Sequence, residues 1–162
     1  MSDNEQLIRQ CSDTPPAELL RGIEQFNASE YFECHETLEA LWLVERARIR
    51  EALNSPAYRS NVTKPGTSGY AYCDQLYKGI LQVGVGCLHL LRGNYRGATI
   101  KLQSGADYLE PFAPRCMGVE VARLIADARR LRAELVARGP ERLAEVDRAL
   151  LPRVHLTAHQ AE

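Results

Sequence analysis

Apolar side chains recur at three- and four-residue intervals along most of the chain, and helix-type punctuation separates the periodic stretches. Thr14 ahead of Pro15 and Pro16 predicts a first helix running to about residue 26. Asn27 stands three residues before Glu30, a capping-box spacing that predicts a second helix to about residue 51. Residues 54–69 crowd Asn, Ser, Pro, Thr and Gly without a period and read as a loop. A third helix follows over about 70–91. Gly93-Asn94 stops it, and Asn94 caps a fourth that ends before Pro111. Beyond Pro114, the positions Val121, Leu124, Ile125, Ala128, Leu131 and Leu135 form one amphipathic stripe. Gly139-Pro140 ends that helix and opens a short last one to about residue 150, after which residues 153–162 read as a frayed tail. No run of alternating β-branched residues predicts a strand. The expected fold is an all-α, single-domain bundle of five or six helices around a central antiparallel pair, the second and third.

Composition narrows the function without choosing it. A chain of 162 residues, 45% hydrophobic and 25% charged, buries enough surface to fold as one domain without a structural metal. A net charge of −1 supplies no field for nucleic acid, so none is expected as a partner. The uncharged stretch 79–91 is well short of the roughly 20 residues of a membrane span, and no membrane association is expected. The first residues lack the basic and apolar regions of a secretory signal. Five cysteines, none in a Cys-x-x-Cys pair, read as reduced thiols rather than a disulfide framework, and the expected location is cytoplasmic.

Candidate chemistry lies on two polar stripes inside apolar helices. At about 100° per residue, Tyr31, Leu38 and Trp42 share one line of the second helix, and Phe32 and Leu43 form another ridge. His35, Glu39 and Arg46 fall between the two, which places them in a polar groove, with Glu33, Glu36 and Ala40 on the far side. On the third helix Gln75, Gln82 and His89 recur every seven residues, alongside Gly79 and Gly86. Three glycines inside one helix, Gly84 included, imply close backbone approach. The expectation is that this thinned stripe lies against the His35/Glu39 groove. The predicted site is therefore His35, Glu39, Gln82 and His89, with Trp42 as a roof and Tyr77 and Arg46 at the edges. The plainer alternative is a hydrogen-bond network that only fixes helix register.

The same residues carry a family resemblance. Phe26-Asn27, Tyr31-Phe32-Glu33-Cys34-His35-Glu36-Thr37-Leu38-Glu39 and Trp42 resemble the signature of domain-of-unknown-function family 309. Tyr77-Lys78-Gly79-Ile80-Leu81-Gln82 resembles that family's tyrosine–glycine–glutamine helix, and Arg92-Gly93-Asn94 with Gly97-Ala98 its following turn. The resemblance implies a small all-α fold without an established activity. It sets out a flexible N-terminus over 1–13, a family-like core over 14–112 and a C-terminal extension over 113–152 packing on that core. The 54–69 loop is longer than the family's usual connection, and nothing of the family carries over beyond Pro114.

Three uses of the site follow. His35-Glu36-Thr37-Leu38-Glu39 invites comparison with the H-E-x-x-H zinc helix: His35 and Glu39 would face one ion, with His89 or Gln82 supplying the third ligand. A divalent metal such as zinc, held by His35, Glu39 and His89, is one reading. The second keeps the pocket without the metal, with His35 and Glu39 as catalytic base and orienting carboxylate of a hydrolase-type site for a small molecule. The third makes the chain a non-catalytic interaction module with a protein partner or a second copy of itself. Whether the protein is an enzyme stays open. No G-x-S-x-G and no phosphate-binding loop is present.

Overall fold

The computed structural model of the chain describes residues 9–54 and 72–157. The expectations for residues 55–71 and the two termini lie outside the described residues. Among the described residues five α-helices carry the fold: α1 (Ala17–Asn27), α2 (Tyr31–Asn54), α3 (Asp74–Leu91), α4 (Tyr95–Leu109) and α5 (Val121–Arg138). Short 3-10 turns follow at Glu110–Phe112, Pro140–Glu145 and Arg148–Leu150. The fold is all-α, as its periodicity predicts.

The α3 helix is the hub. Asn94 caps α4 as expected, its side chain accepting from the Gly97 amide at 2.9 Å. The tight turn folds α4 back along α3, so that Gly79 meets Leu109, Gly86 meets Leu102 and His89 meets Gly97. On another side α3 packs against α1 and α2, with Phe26 and Tyr31 resting on Gly84. These two rings meet edge to face, their centroids 5.5 Å apart. The α5 stripe behaves as its spacing predicts, and all six of its apolar positions are buried. Arg132 ties that helix to α4 by donating to the Thr99 carbonyl at 3.0 Å.

Four expectations are corrected. Asn27 does not cap α2: it is the last residue of α1, and its side chain clamps the tail, accepting from the Val154 amide at 2.8 Å and donating to the Val154 carbonyl at 2.9 Å. Residues 153–157 are therefore not frayed: Val154 is buried, and Thr157 donates to the Gly118 carbonyl at 2.7 Å. A small hairpin also forms, β1 (Arg115–Cys116) against β2 (Val119–Glu120). It is closed by Met117 and Gly118 at positive φ, with the tail added alongside through Leu156. Strands of two residues leave no alternation to detect. Finally, the cysteines are not all reduced: Cys11 and Cys116 form a disulfide, and Cys34, Cys73 and Cys87 are free and buried. The bonded pair is separated by 105 residues, and local spacing says nothing about such a pairing.

Candidate functional site

Between α2 and α3 runs a half-open groove of about 270 Å³, lined by His35, Glu39, Trp42, Lys78, Leu81, Gln82, Val85 and Lys101. Each helix contributes one stripe. On α2, positions 35, 39 and 42 lie on one face at four- and three-residue steps. On α3, positions 78, 81, 82 and 85 do the same, and α4 closes the rim with Lys101.

His35 Nε2 lies 3.6 Å from Glu39 Oε2, with the two side chains 36% and 47% exposed. That separation is too long for a hydrogen bond, so Glu39 does not fix the imidazole tautomer in this arrangement. At this exposure such a pair stabilises the fold by less than about 1 kcal/mol. Gln82 is held differently: its Oε1 accepts from the Ser104 hydroxyl of α4, which orients the amide towards the groove.

Lys78 meets two aromatic rings. Its ammonium sits 5.0 Å from the Trp42 ring centre and 4.7 Å from that of Tyr108, a cation held between two π faces. Arg46 approaches the Trp42 ring as well, at 5.4 Å. Neither Lys78 nor Lys101 makes an ion pair among the described residues.

Of the residues singled out from the sequence, His35, Glu39, Trp42 and Gln82 come together, and three do not. His89 lies two turns beyond Gln82, at the end of α3, where it packs over Gly97 with its Nδ1 3.2 Å from the Asn94 amide nitrogen. Tyr77 is fully buried, with its hydroxyl donating to Met117 Sδ at 3.7 Å, because it sits one residue, about 100°, away from Lys78. Arg46 reaches the indole but does not line the groove. Nor do Phe32 and Leu43 build a packed ridge; they are 49% and 50% exposed.

The glycine stripe also faces elsewhere than expected. A Cβ on Gly79 would meet Leu109 at 2.7 Å and one on Gly86 would meet Leu102 at 2.9 Å, both on α4. Gly105 of α4 returns the contact, approaching the Val83 amide and the Gly79 carbonyl. The thinned side of α3 therefore closes against α4, and the groove opens along the edge of the packed α2–α3 contact, beside Lys78, Leu81, Gln82 and Val85.

Lys78, Lys101, Leu81 and Val85 were not singled out from the sequence. The 78, 81, 82, 85 stripe is visible at helical spacing once Gln82 is chosen as its anchor. Lys101 has no such signal, since its place depends on how α4 folds back.

Metal ligands do not converge in the groove. Among the described residues, the group of three or more potential metal ligands is Cys11, Cys73 and Cys116, remote in sequence from His35, Glu39 and His89. On the buried stripe of α2, Glu45 is only 2% exposed and is held by Arg9 at 3.0 Å and Arg48 at 3.5 Å. Asp74, at the start of α3, has its carboxyl raised above the usual range by burial, partly offset by hydrogen bonds from Gln75.

Among the described residues no helix is long and apolar enough to cross a membrane. No curated protein and no solved structure matches the chain. The second stretch of the resemblance, around Tyr77–Gln82 and Gly93–Ala98, lies outside the residues that match a family model. Residues 19–55, which carry α1, α2 and the His35/Glu39 pair, match the model of a domain of unknown function, DUF309, the family that the signature around His35 resembles.

Proposed function

We propose that the α2–α3 groove binds a small acidic molecule, a carboxylate or phosphate ester with an apolar body. The observation that carries this reading is the pair of ammonium groups, Lys78 and Lys101, lining the groove without a carboxylate partner among the described residues. An acid group would lie between them. His35 and the Gln82 amide, held by Ser104, would add directional donors, and Leu81, Val85 and the edge of Trp42 an apolar wall.

The two ammonium groups also weigh against a dication at His35 and Glu39. Like charges confined to a groove of this size repel, and only two metal-type ligands face it. The setting we infer is the cytoplasm. Three buried thiols stay unpaired there, and a single disulfide fits that compartment when it opens and closes.

Calorimetric titration of the disulfide-intact chain with benzoate and with inorganic phosphate tests the reading. At least one probe is expected to bind, with affinity that falls with salt and drops about tenfold or more in the Lys78→Ala, Lys101→Ala double variant. Zinc added to the same disulfide-intact chain is expected not to displace the probe. Failure of both probes to bind, or binding that survives loss of both lysines, would contradict the reading in favour of a scaffold.

A further inference from the structure

Away from the groove, three cysteines from three parts of the chain converge. Cys11 lies in the N-terminal segment, Cys73 at the N-terminal cap of α3, and Cys116 in the β-hairpin. Their sulfurs all lie within 4.8 Å of one another. Backbone contacts hold the convergence in place, since the Met117 amide donates to the Cys11 carbonyl at 2.8 Å. A turn follows Cys11, in which the Gln10 amide donates to Asp13 Oδ2 at 2.7 Å. The disulfide uses two of the three sulfurs and does not account for the third.

We propose that these three cysteines form a redox-gated site for a thiophilic cation of the zinc class: the reduced protein binds the ion through Cys11, Cys73 and Cys116, and the Cys11–Cys116 disulfide is the closed, metal-free state. The surroundings fit a cation: Asp74 adjoins Cys73 in the chain, Asp13 lies two residues beyond Cys11, and Arg9 is engaged with Glu45 at 3.0 Å. Cys73 also sits at the positive end of α3, which supports a coordinated sulfur. Thiolates at tetrahedral zinc are about 2.3 Å from the metal, hence about 3.8 Å from one another. Opening the disulfide lets the bonded pair part to that spacing while Cys73 closes towards it. Three protein thiolates leave one position of a tetrahedral shell open.

The steps balance. A small dithiol reduces the disulfide by exchange: its two thiols give up two electrons and two protons and become a cyclic disulfide, while Cys11 and Cys116 become thiols. Cys11 is exposed and offers the sulfur for the first attack. The cation then displaces three thiol protons and forms three metal–sulfur bonds, which leaves a trithiolate of charge −1 for a dication. A small-molecule disulfide reverses the sequence by exchange: the Cys11 and Cys116 thiolates give it two electrons and form their disulfide, it takes two protons and leaves as two thiols, and Cys73 takes a proton from solvent as the ion is released.

The test uses the full chain, reduced with a dithiol and desalted without oxygen, beside the same chain with its disulfide intact. Cobalt(II) serves as the spectroscopic probe, and zinc is titrated in competition with a chromogenic chelator. The reduced chain is expected to give a thiolate-to-cobalt charge-transfer band saturating near about one equivalent, and to take zinc from the chelator. The disulfide-bonded chain is expected to do neither. Cys73→Ser should weaken binding at least about tenfold, since even outer-shell losses at metal sites cost that much. Cys11→Ser, at an exposed position, should do the same and keeps the test valid if Cys73→Ser does not fold. Cys34→Ala, outside the cluster, should retain the full band. No charge-transfer band in the reduced chain, equal binding by the oxidised chain, or wild-type affinity in both serine variants would overturn the proposal. None of these outcomes bears on the groove, which is tested with the disulfide intact.

Discussion

The two sides of α3 are built on opposite principles. Against α4, Gly79, Gly86 and Gly105 let the backbones approach until Cβ atoms would clash. Against α2, the stripe of Lys78, Leu81, Gln82 and Val85 carries longer side chains, and a groove of about 270 Å³ stays open. Closing one side tightly fixes Ser104 and Lys101 of α4 relative to Gln82 and Lys78 of α3, which positions the polar groups of the groove. A cleft of this kind needs a rigid wall behind it.

That contrast makes substitutions on the two sides diverge. The largest loss is expected for Gly105→Ala. Its Cβ would lie 2.8 Å from the Val83 backbone nitrogen and 3.1 Å from the Gly79 carbonyl, and neither atom can swing aside. Urea unfolding should show a loss of about 2 kcal/mol or more even after the helix-propensity gain of about 1 kcal/mol. A wild-type midpoint would mean the α3–α4 contact is looser than described.

The buried thiols report on the dry interior. Burial pushes Cys34, Cys73 and Cys87 up to about 12, well above the ordinary thiol range. The folded chain holds these protons more tightly than the unfolded one. Their contribution to stability is therefore complete below about pH 9 and is lost progressively as pH rises towards 12. All three free thiols should resist an aromatic disulfide reagent at pH near neutral until the chain is unfolded. Rapid labelling of the native chain would place them in contact with solvent.

Smaller effects follow. Gly84→Ala should stabilise by up to about 1 kcal/mol, because its Cβ would meet Phe26 at an ordinary 3.4 Å. In the groove, Glu39→Gln and His35→Ala should each shift the unfolding free energy by less than about 1 kcal/mol. A loss near about 3 kcal/mol from either would instead identify a buried structural network.

Much of the fold was legible because it follows from local chemistry. The α5 stripe and the Asn94 cap needed nothing beyond periodicity and one side chain. What depended on the return path of the chain was hidden. Asn27 has the spacing of a cap, yet the backbone of Val154, remote in sequence, claims its side chain. The heptad of Gln75, Gln82 and His89 marks one face of a helix, but a face running its whole length meets different neighbours at each end. Only Gln82, at mid-helix, looks into the groove, while Gln75 pairs with Asp74 and His89 with Asn94. The glycines announced close approach correctly and left the identity of the approaching helix open. Cys11 and Cys116 could be joined only once the hairpin was in place.

The most direct test of the groove is chemical-shift mapping of the ¹⁵N-labelled, disulfide-intact chain titrated with benzoate and, separately, with phosphate. Saturable shifts are expected at the amides around residues 35–42, 78–85 and 101–104, and they should vanish when Lys78 and Lys101 are both replaced by alanine. Shifts centred elsewhere, or undiminished without those lysines, would contradict the assignment of the α2–α3 groove as a site for small acids.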